Sequence, residues 1–416
     1  MLSRFIKKNW IYFYLLIQIG SLLYISYLFS NDSFLPRPFV LDKSNTFMDF
    51  YNPLSWVYDS LIYETTKTVY PPLNFVLLKL IAFIFSHSGI QQGSSEILRA
   101  QSVAFQILLV GGYFLVAFTA VYININNEVT RLYSFILALS LAISTPVLFA
   151  MERGNLIIFA LLFLSIYVAC RDKKNINSII LVAILINIKP YFLLLCIIYF
   201  KNFYKLCILI IWSGIIFVVT GLMVDPHFYL LFSNLLFFNN IGGGIPPLDQ
   251  LAFPSSVIAL KALTSIMPSM QSYFFWFSVL KSCLYLAIAV LIYIIIFKKK
   301  ITDSDKVIGI VMIITNYSVM SGGYSLIYYL PLVPVLIQNS NKKFIIYILL
   351  LLAPLDWVQF YQQQHPGLLY SYLGSTAEKL FVVPNGELYI GTLLRPIINL
   401  WLIASFTYYL IEKNKL

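Results

Sequence analysis

Long apolar runs constrain this chain more than any other feature of its sequence. Crossing a bilayer as a helix takes roughly 20 apolar residues, and such runs recur from "IYFYLLIQIGSLLYISYLF" near the start to "IINLWLIASFTYYLI" near the end. Charged residues make up 11% of the chain, whereas a soluble domain has about 25%. The predicted fold class is therefore an all-α polytopic membrane protein, with residues 1–416 forming a single integral membrane domain.

Apolar length and the distribution of Lys and Arg together predict a path through the membrane. We expect about 10–12 transmembrane segments, several of them short. Their predicted positions are 10–29, 101–123, 132–150, 154–170, 176–188, 190–200, 206–224, 273–297, 307–320, 324–337, 344–360 and 389–411. Because loops rich in Lys and Arg face the cytoplasm, both termini are expected on the cytoplasmic side.

This path leaves three long loops on the outer side of the membrane. They span 30–100, 225–272 and 361–388. The stretch "YPPLNFVLLKLIAFIF" in the first loop is short for a full span, so we predict interfacial helices there. Several acidic residues also fall in the first loop, and polar chemistry is therefore expected on the outer face.

The stretch "NTFMDFYNPL" places a carboxylate, Asp49, among aromatic residues just after the first predicted helix. A carboxylate beside aromatic surface at a membrane interface is partly desolvated, which suits a general base or an anchor for a hydroxyl group. A helix-capping acid is the alternative interpretation. Asp42 and Asp59 in the same loop are the other acids that could act as the base.

Two further polar groups interrupt apolar sequence. Glu152, Arg153 and Asn155 stand in "AMERGNLIIF", and Lys189 stands before Pro190 in "LINIKPYFLLL". Charges at membrane depth are costly and mark functional sites, and Arg binds phosphate through two parallel hydrogen bonds. The alternatives are a polar turn in which the acid and the arginine pair, and a lysine that snorkels from a helix end.

Tyrosines accompany both remaining motifs. Tyr70 precedes the double proline of "VYPPLNF", which predicts a helix start whose amides could face an anion. Tyr324 lies in "SGGYSLIYYLP" and could stack on a sugar or line a lipid groove. An aromatic belt at the membrane interface is the alternative for that stretch.

Several classes of function are not favoured by the sequence. No segment forms a clustered basic face of the kind that binds nucleic acid, and the three histidines are too far apart in sequence to predict a zinc site. No Gly-rich phosphate loop is evident. We therefore predict no nucleic-acid partner, no metal and no cofactor.

The motifs "MDFY", "YPPL", "ERGN" and "NIKP", in this order, resemble the GT-C superfamily of polytopic glycosyltransferases, and glycosyltransferase family 87 in particular. The resemblance covers roughly residues 40–200 by motif and the remainder by topology only. It implies that Asp49 is the catalytic base and that Arg153 and Lys189 lie near the donor phosphate. It further leads us to expect substrate contacts from Tyr51, Tyr70, Glu152, Asn155 and Tyr324.

The resemblance also implies a reaction and a location. Such a protein would move a hexose, in the first instance glucose, from a polyprenyl-phosphate carrier to a periplasmic glycan such as O-antigen, with inversion. It would lie in a bacterial inner membrane with its site facing the periplasm, similar to serotype-converting O-antigen glucosyltransferases. Its partners would be the lipid-linked donor, the glycan acceptor and membrane lipid.

Two other classes stay open on the sequence. An O-antigen polymerase or ligase is also polytopic, but is expected to use outer-loop arginines, which 225–388 lacks. A lipid-linked glycan flippase, which is not an enzyme, would be expected to carry ionisable residues at several helix centres.

Overall fold

The structure of the protein is a computed structural model. It describes residues 2–32, 35, 39, 46–90, 93–125, 130–170, 176–241, 274–298, 300–317, 323–338, 342–357, 359–370 and 376–415. Asp42 and most of the second predicted outer loop, 225–272, lie outside these residues.

The first half of the described chain consists of helices joined by short turns. The α-helices are α1 (Leu2–Asp32), α2 (Met48–Trp56), α3 (Ile62–Thr65), α4 (Pro72–His87), α5 (Ser95–Gln101), α6 (Val103–Tyr122), α7 (Arg131–Ala142), α8 (Thr145–Arg153), α9 (Ile157–Ala169), α10 (Ile176–Ile188), α11 (Phe203–Val224) and α12 (Leu231–Ile241). Two 3-10 helices, Pro190–Tyr199 and Phe228–Leu230, lie among them.

The second half adds helices and one hairpin. Its α-helices are α13 (Phe274–Phe297), α14 (Asp303–Tyr317), α15 (Leu332–Gln338), α16 (Lys342–Leu352) and α17 (Ile390–Lys415). Gly323–Tyr329 and Leu355–Trp357 are 3-10 helices, and β1 (Gln359–Tyr370) pairs with β2 (Thr376–Tyr389).

Within the described residues, four helical stretches are long and apolar enough to cross a membrane. They are Trp10–Asn31, Val103–Tyr122, Phe203–Val224 and Leu394–Asn414. The pair α7 and α8 would make a fifth span, bent by 54°. The prediction of a mainly helical chain with apolar helices long enough to cross a membrane is thus confirmed, although length and composition alone give fewer spans than the 10–12 expected. Six further apolar helices of 10–17 residues are too short for this criterion.

Prolines explain two departures from the predicted segments. The segment expected at 132–150 is two helices, because Ser144 begins a new helix and Pro146 occupies its first turn. The segment expected at 344–360 ends as a helix at Leu352, two residues before Pro354. A proline cannot continue the hydrogen-bond ladder of a helix, and the chain turns at both places.

The third predicted outer loop, 361–388, contains an antiparallel hairpin that the all-helical expectation did not include. Its register pairs Tyr370 with Thr376 near the turn and Gln359 with Tyr389 at the open end. The register shifts twice near the open end, as in a β-bulge.

A buried ion pair closes the base of this hairpin. Arg395 of α17 donates from Nη1 and Nη2 to the two carboxylate oxygens of Asp356, both at 2.6 Å. Its Nε and Nη2 also reach the carbonyls of Leu351 and Ala353. Arg395 is 0% exposed, and a buried pair of this kind persists only when its remaining groups are hydrogen-bonded. The pair therefore joins the two ends of the hairpin to the bundle.

Helices α2 to α5, within the predicted first outer loop, form a second apolar core beside the main bundle core. Phe50, Leu54 and Phe75 are among its buried members. Asn74 joins it to the bundle by donating from Nδ2 to the carbonyl of Ile188 at 2.9 Å. That carbonyl belongs to the last turn of α10, where backbone acceptors lack helical partners. The contact thus connects the "YPPLN" motif to the "NIKP" motif.

Candidate active site

Asp49 and the "ERGN" turn meet although about a quarter of the chain separates them. Arg153 donates from Nη2 to Asp49 Oδ1 at 2.5 Å, and Asn155 donates from Nδ2 to Asp49 Oδ2 at 2.8 Å. The side chains of Arg153 and Asp49 are 15% and 21% exposed. A charge-assisted pair of this kind is strong, yet both partners remain within reach of a ligand.

Backbone geometry fixes the two sides of this contact. Asp49 lies in the first turn of α2, where a negative charge is favoured by the helix dipole. The residue before the helix, Phe47, has a positive φ of 60° and donates its N–H to the carbonyl of Glu152 at 2.8 Å. The start of α2 is therefore bonded directly to the end of α8, which carries Arg153.

Gly154 lets the two segments approach this closely. It ends α8 in the left-handed region with φ of 64°, which glycine adopts without the penalty that other residues meet. A Cβ at this position would lie 2.9 Å from Cβ of Phe50 and 3.2 Å from Cα of Phe47. No side chain fits there without moving α2 away from the turn.

Replacing Gly154 with Ala is expected to destabilise the protein by about 1–3 kcal/mol, the range for a non-glycine residue in a strained backbone region. The melting temperature of the purified protein measures this effect. Gly214→Ala in α11 is the matched control, because open space surrounds that glycine. Equal melting temperatures for the two variants would mean that the turn has room that the structure does not show.

Asn155 is held by two hydrogen bonds and in turn holds Asp49. Its Oδ1 accepts from the N–H of Ile157 at 3.0 Å, and its carbonyl accepts from the hydroxyl of Tyr113. These contacts leave Nδ2 aimed at Asp49. Substrate binding was predicted for Asn155, and the structure gives it a contact with the candidate base that the sequence analysis did not foresee.

Lys189 lies at the break between α10 and the following 3-10 helix. Its backbone is extended, with φ of −141°, because the next residue is Pro190. Its Nζ lies 4.8 Å from the ring centroid of Tyr70, a cation–π distance. Burial lowers the pKa of Lys189 to about 8, and the negative charge of Asp49 acts in the opposite direction. Lys189 therefore belongs to the same electrostatic neighbourhood as Asp49.

Tyr70 occupies a well-supported position in this neighbourhood. Its carbonyl accepts from the hydroxyl of Tyr63 at 2.8 Å, and its ring packs edge-on against Phe75. Burial raises the pKa of Tyr70 well above its usual range, with the charge of Asp49 as a further cause. The phenol is therefore a neutral hydroxyl beside the carboxylate.

Tyr324 completes the set of predicted residues that the structure brings together. Its ring stacks on that of buried Phe149 at 6.0 Å between centroids. Its hydroxyl lies within electrostatic range of Arg153 and Tyr70. Of the "SGGY" stretch, the structure describes Gly323 and Tyr324.

Two other predicted residues have different surroundings. Tyr51 is 0% exposed in the core of the first loop, and its hydroxyl lies 2.6 Å from that of Ser102. These contacts give Tyr51 a packing role. Glu152 is 7% exposed and lines a mostly apolar cavity of about 310 Å³ between α1, α6 and α8.

Asp59, one of the alternative bases, makes its hydrogen bonds within its own turn. Its carboxylate accepts from the N–H of Leu61 at 2.8 Å and from the hydroxyl of Thr65 at 2.7 Å. These hydrogen bonds, that of Thr65 foremost, lower the pKa of Asp59. Of the two alternative bases, this is the one that the structure describes, and its contacts are local.

Tyr191 is a neighbour of the site that the sequence analysis missed, and it contacts Tyr328 of the "SGGYSLIYYLP" stretch. Their hydroxyl oxygens lie 2.7 Å apart, and Tyr191 is within electrostatic range of Tyr70 and Tyr324. The signal available in the sequence was the position of Tyr191, two residues after Lys189 in "NIKPY". The surrounding sequence is apolar and rich in tyrosine, so Tyr191 did not stand out as a site residue.

Comparison with known proteins identifies no relative. No protein-family model matches the sequence, and no curated protein or solved structure matches it significantly. Among the described residues, no group of three or more His, Cys, Asp or Glu side chains could hold a metal ion. The absence of metal and cofactor stays a prediction.

Proposed function

We propose that this protein is an integral-membrane glycosyltransferase of the GT-C type. It transfers a hexose from a polyprenyl-phosphate-linked donor to a glycan acceptor such as O-antigen, with Asp49 as general base. One observation supports this best: a carboxylate that is 21% exposed lies in contact with an arginine and within electrostatic range of Lys189. A base beside two cations suits the removal of an acceptor proton next to a leaving phosphate.

In the proposed reaction, the acceptor hydroxyl oxygen bonds to the anomeric carbon as the bond from that carbon to the phosphate oxygen breaks. The hydroxyl proton goes to Asp49. The polyprenyl phosphate leaves as an anion and is stabilised by Arg153 and Lys189. A single displacement of this kind inverts the anomeric configuration.

The contact between Arg153 and Asp49 gives this mechanism an order of events. In the free protein, Arg153 donates to Asp49 Oδ1. An arriving phosphate competes for the same guanidinium group, because that group binds phosphate in a bidentate manner. Donor binding would thus turn Arg153 toward the phosphate and leave Oδ1 available to the acceptor proton, while Asn155 continues to hold Oδ2.

We propose that the short apolar helices also lie in the membrane, which brings the number of segments to about 10–12. Helices shorter than a full span are tolerated where they are surrounded by protein, because their ends are then satisfied internally. The distribution of Lys and Arg supports cytoplasmic termini and a site at the periplasmic face of a bacterial inner membrane.

The test is a transfer assay with purified protein in liposomes. Polyprenyl-phosphate glucose and an O-antigen acceptor are supplied, and the glycan product and released polyprenyl phosphate are both measured. Equal amounts of the two products support the proposal. Transfer from a sugar nucleotide alone, a change in acceptor polymer length, or movement of the lipid-linked sugar across the bilayer without transfer would each reject it.

A further inference from the structure

A second cavity lies along helix α6, where Ile81 of α4 and Leu162 of α9 border it, and its volume is about 230 Å³. Its α6 wall consists of residues spaced by three and four positions, which share one face of a helix. These residues are Phe105, Leu108, Leu109, Gly112, Tyr113 and Val116. The cavity is therefore a groove parallel to the helix axis, which we call the α6 groove.

Gly112 leaves the middle of the α6 groove open. A Cβ atom at this position would meet no other atom within 4 Å. Glycine inside a helix lowers stability relative to alanine, and here no described neighbour lies close enough to require a glycine. The missing side chain therefore adds space to the groove.

The wall of the α6 groove selects an apolar ligand. Of the described residues that line it, Tyr113 alone has a polar side-chain group, and that hydroxyl donates to the carbonyl of Asn155. Leu108 on the rim is 70% exposed, and α6 is among the helices that are long and apolar enough to cross a membrane. A hydrocarbon chain can enter from the lipid and fill the groove without leaving a polar group unpaired.

The length of the groove indicates which hydrocarbon chain fits it. From Phe105 to Val116 the helix rises about 16 Å. The acyl chains of one leaflet span about 15 Å, which is half of the hydrocarbon core of a bilayer. A polyprenyl chain of many isoprene units would extend far beyond Val116. The groove thus matches a single acyl chain that lies parallel to a membrane-spanning α6.

The two ends of the groove differ, and this difference orients the chain. The polar helix α5, "SEILRAQ", ends just before α6 begins, so the Phe105 end is the one nearer to the membrane interface. Val116 lies in the apolar interior of α6. The headgroup of a bound lipid therefore belongs at the Phe105 end, and the methyl end of its chain belongs beside Val116.

The α6 groove also borders the residues that hold Asp49. Tyr113 donates to the carbonyl of Asn155, and Nδ2 of Asn155 donates to Asp49. Phe50, another lining residue, directly follows Asp49 in the chain. A chain in the groove therefore packs against the residues that support the candidate active site.

We infer that the α6 groove binds one acyl chain of a membrane phospholipid. The chain packs along the stripe from Phe105 to Val116 and supports the wall behind Asp49 and Asn155. This lipid site lies beside the candidate active site, and the inference does not depend on the proposed reaction.

Native mass spectrometry measures the bound lipid directly. The purified protein is delipidated in detergent, incubated with palmitoyl-oleoyl phosphatidylethanolamine and washed. Wild type is expected to retain one phospholipid per chain and to melt at a higher temperature with it than without it, because a ligand of the folded state stabilises that state. Gly112→Leu is expected to lose both effects, since a leucine side chain fills the middle of the groove.

Gly111→Leu is the matched control. This glycine also has open space around its Cβ position, but it does not line the groove. Both variants replace a helix glycine with the same strong helix former, so Gly111→Leu should retain the phospholipid as wild type does. No retained lipid in wild type, or equal retention by wild type and Gly112→Leu, would overturn the inference.

A photoreactive phospholipid tests the site in wild type without any substitution. With the reactive group at the methyl end of the acyl chain, label is expected on Val116 or Leu162, and excess unmodified phospholipid should suppress it. Label confined to the exposed Leu115, which does not line the groove, would indicate surrounding bilayer lipid and overturn the inference. Suppression by polyprenyl phosphate instead of phospholipid would assign the groove to the proposed donor and overturn it as well.

Discussion

Replacing Asp49 with Asn is expected to reduce sugar transfer by about 10²–10⁴-fold, the contribution of a positioned general base. The amide has the shape of the carboxylate, and its oxygen still accepts a hydrogen bond from Arg153 or Asn155. It cannot take the acceptor proton. The rate of hexose transfer in liposomes, at equal protein concentration, measures the loss.

Asp59→Asn is the matched control for this variant. The carboxylate of Asp59 lies in the same predicted loop and is bonded to Leu61 and Thr65 of its own turn. It should therefore retain most of the wild-type rate. Full transfer by Asp49→Asn, or loss with Asp59→Asn instead, would remove Asp49 from the mechanism.

The same pair of variants can be examined in cells by the composition of the surface glycan. Loss of one sugar substituent with unchanged polymer length is the expected result for Asp49→Asn. A change in polymer length would contradict the proposed transferase and favour the polymerase class.

Local sequence predicted much of this site because its motifs are short and chemically unusual in apolar surroundings. The break at Lys189 follows from Pro190, and the end of α8 follows from Gly154. The four helices that are long and apolar enough to span a membrane begin and end within five residues of the predicted segments, because hydropathy depends directly on the length of an apolar run.

Contacts between residues far apart in the sequence could not be predicted from these short motifs. The sequence predicted Arg153 as a phosphate ligand or as a partner of Glu152, and it did not predict the hydrogen bond from Arg153 to Asp49 that the structure shows. That contact depends on how α2 packs on α8, which is set by many weak apolar contacts rather than by a motif. Tyr191 was missed for the same reason: its neighbour Tyr328 is far away in sequence.

The hairpin shows a limit of prediction from hydropathy. Its strands are too polar for a membrane helix, so hydropathy predicted no span at 361–388. Polarity alone does not distinguish an irregular loop from paired strands. The buried contact of Arg395 with Asp356 joins the two ends of the hairpin, and the sequence around either residue does not predict this contact.

The second large expected effect is the loss of donor efficiency when Arg153 or Lys189 is replaced with a neutral residue. Arg153→Gln should lower kcat/KM for the lipid-linked donor by about 10- to 100-fold, because a hydrogen bond to a charged group contributes about 1.5–3 kcal/mol. Lys189→Gln should have an effect of similar size through the donor KM. The conservative variant Lys189→Arg should retain most of the activity, since the positive charge remains. Full donor efficiency in both Gln variants would show that the phosphate binds elsewhere.

The pH dependence of the same assay tests Lys189 in particular. Burial lowers the pKa of its amine to about 8, so the positive charge is present below that pH and is lost as the pH rises through it. Because kcat/KM reports groups of the free enzyme, wild-type kcat/KM for the donor should fall above about pH 8. Arginine stays charged in this range, and Lys189→Arg should therefore remove the decline. A decline that persists unchanged in Lys189→Arg would assign the titration to another group and separate Lys189 from the donor phosphate.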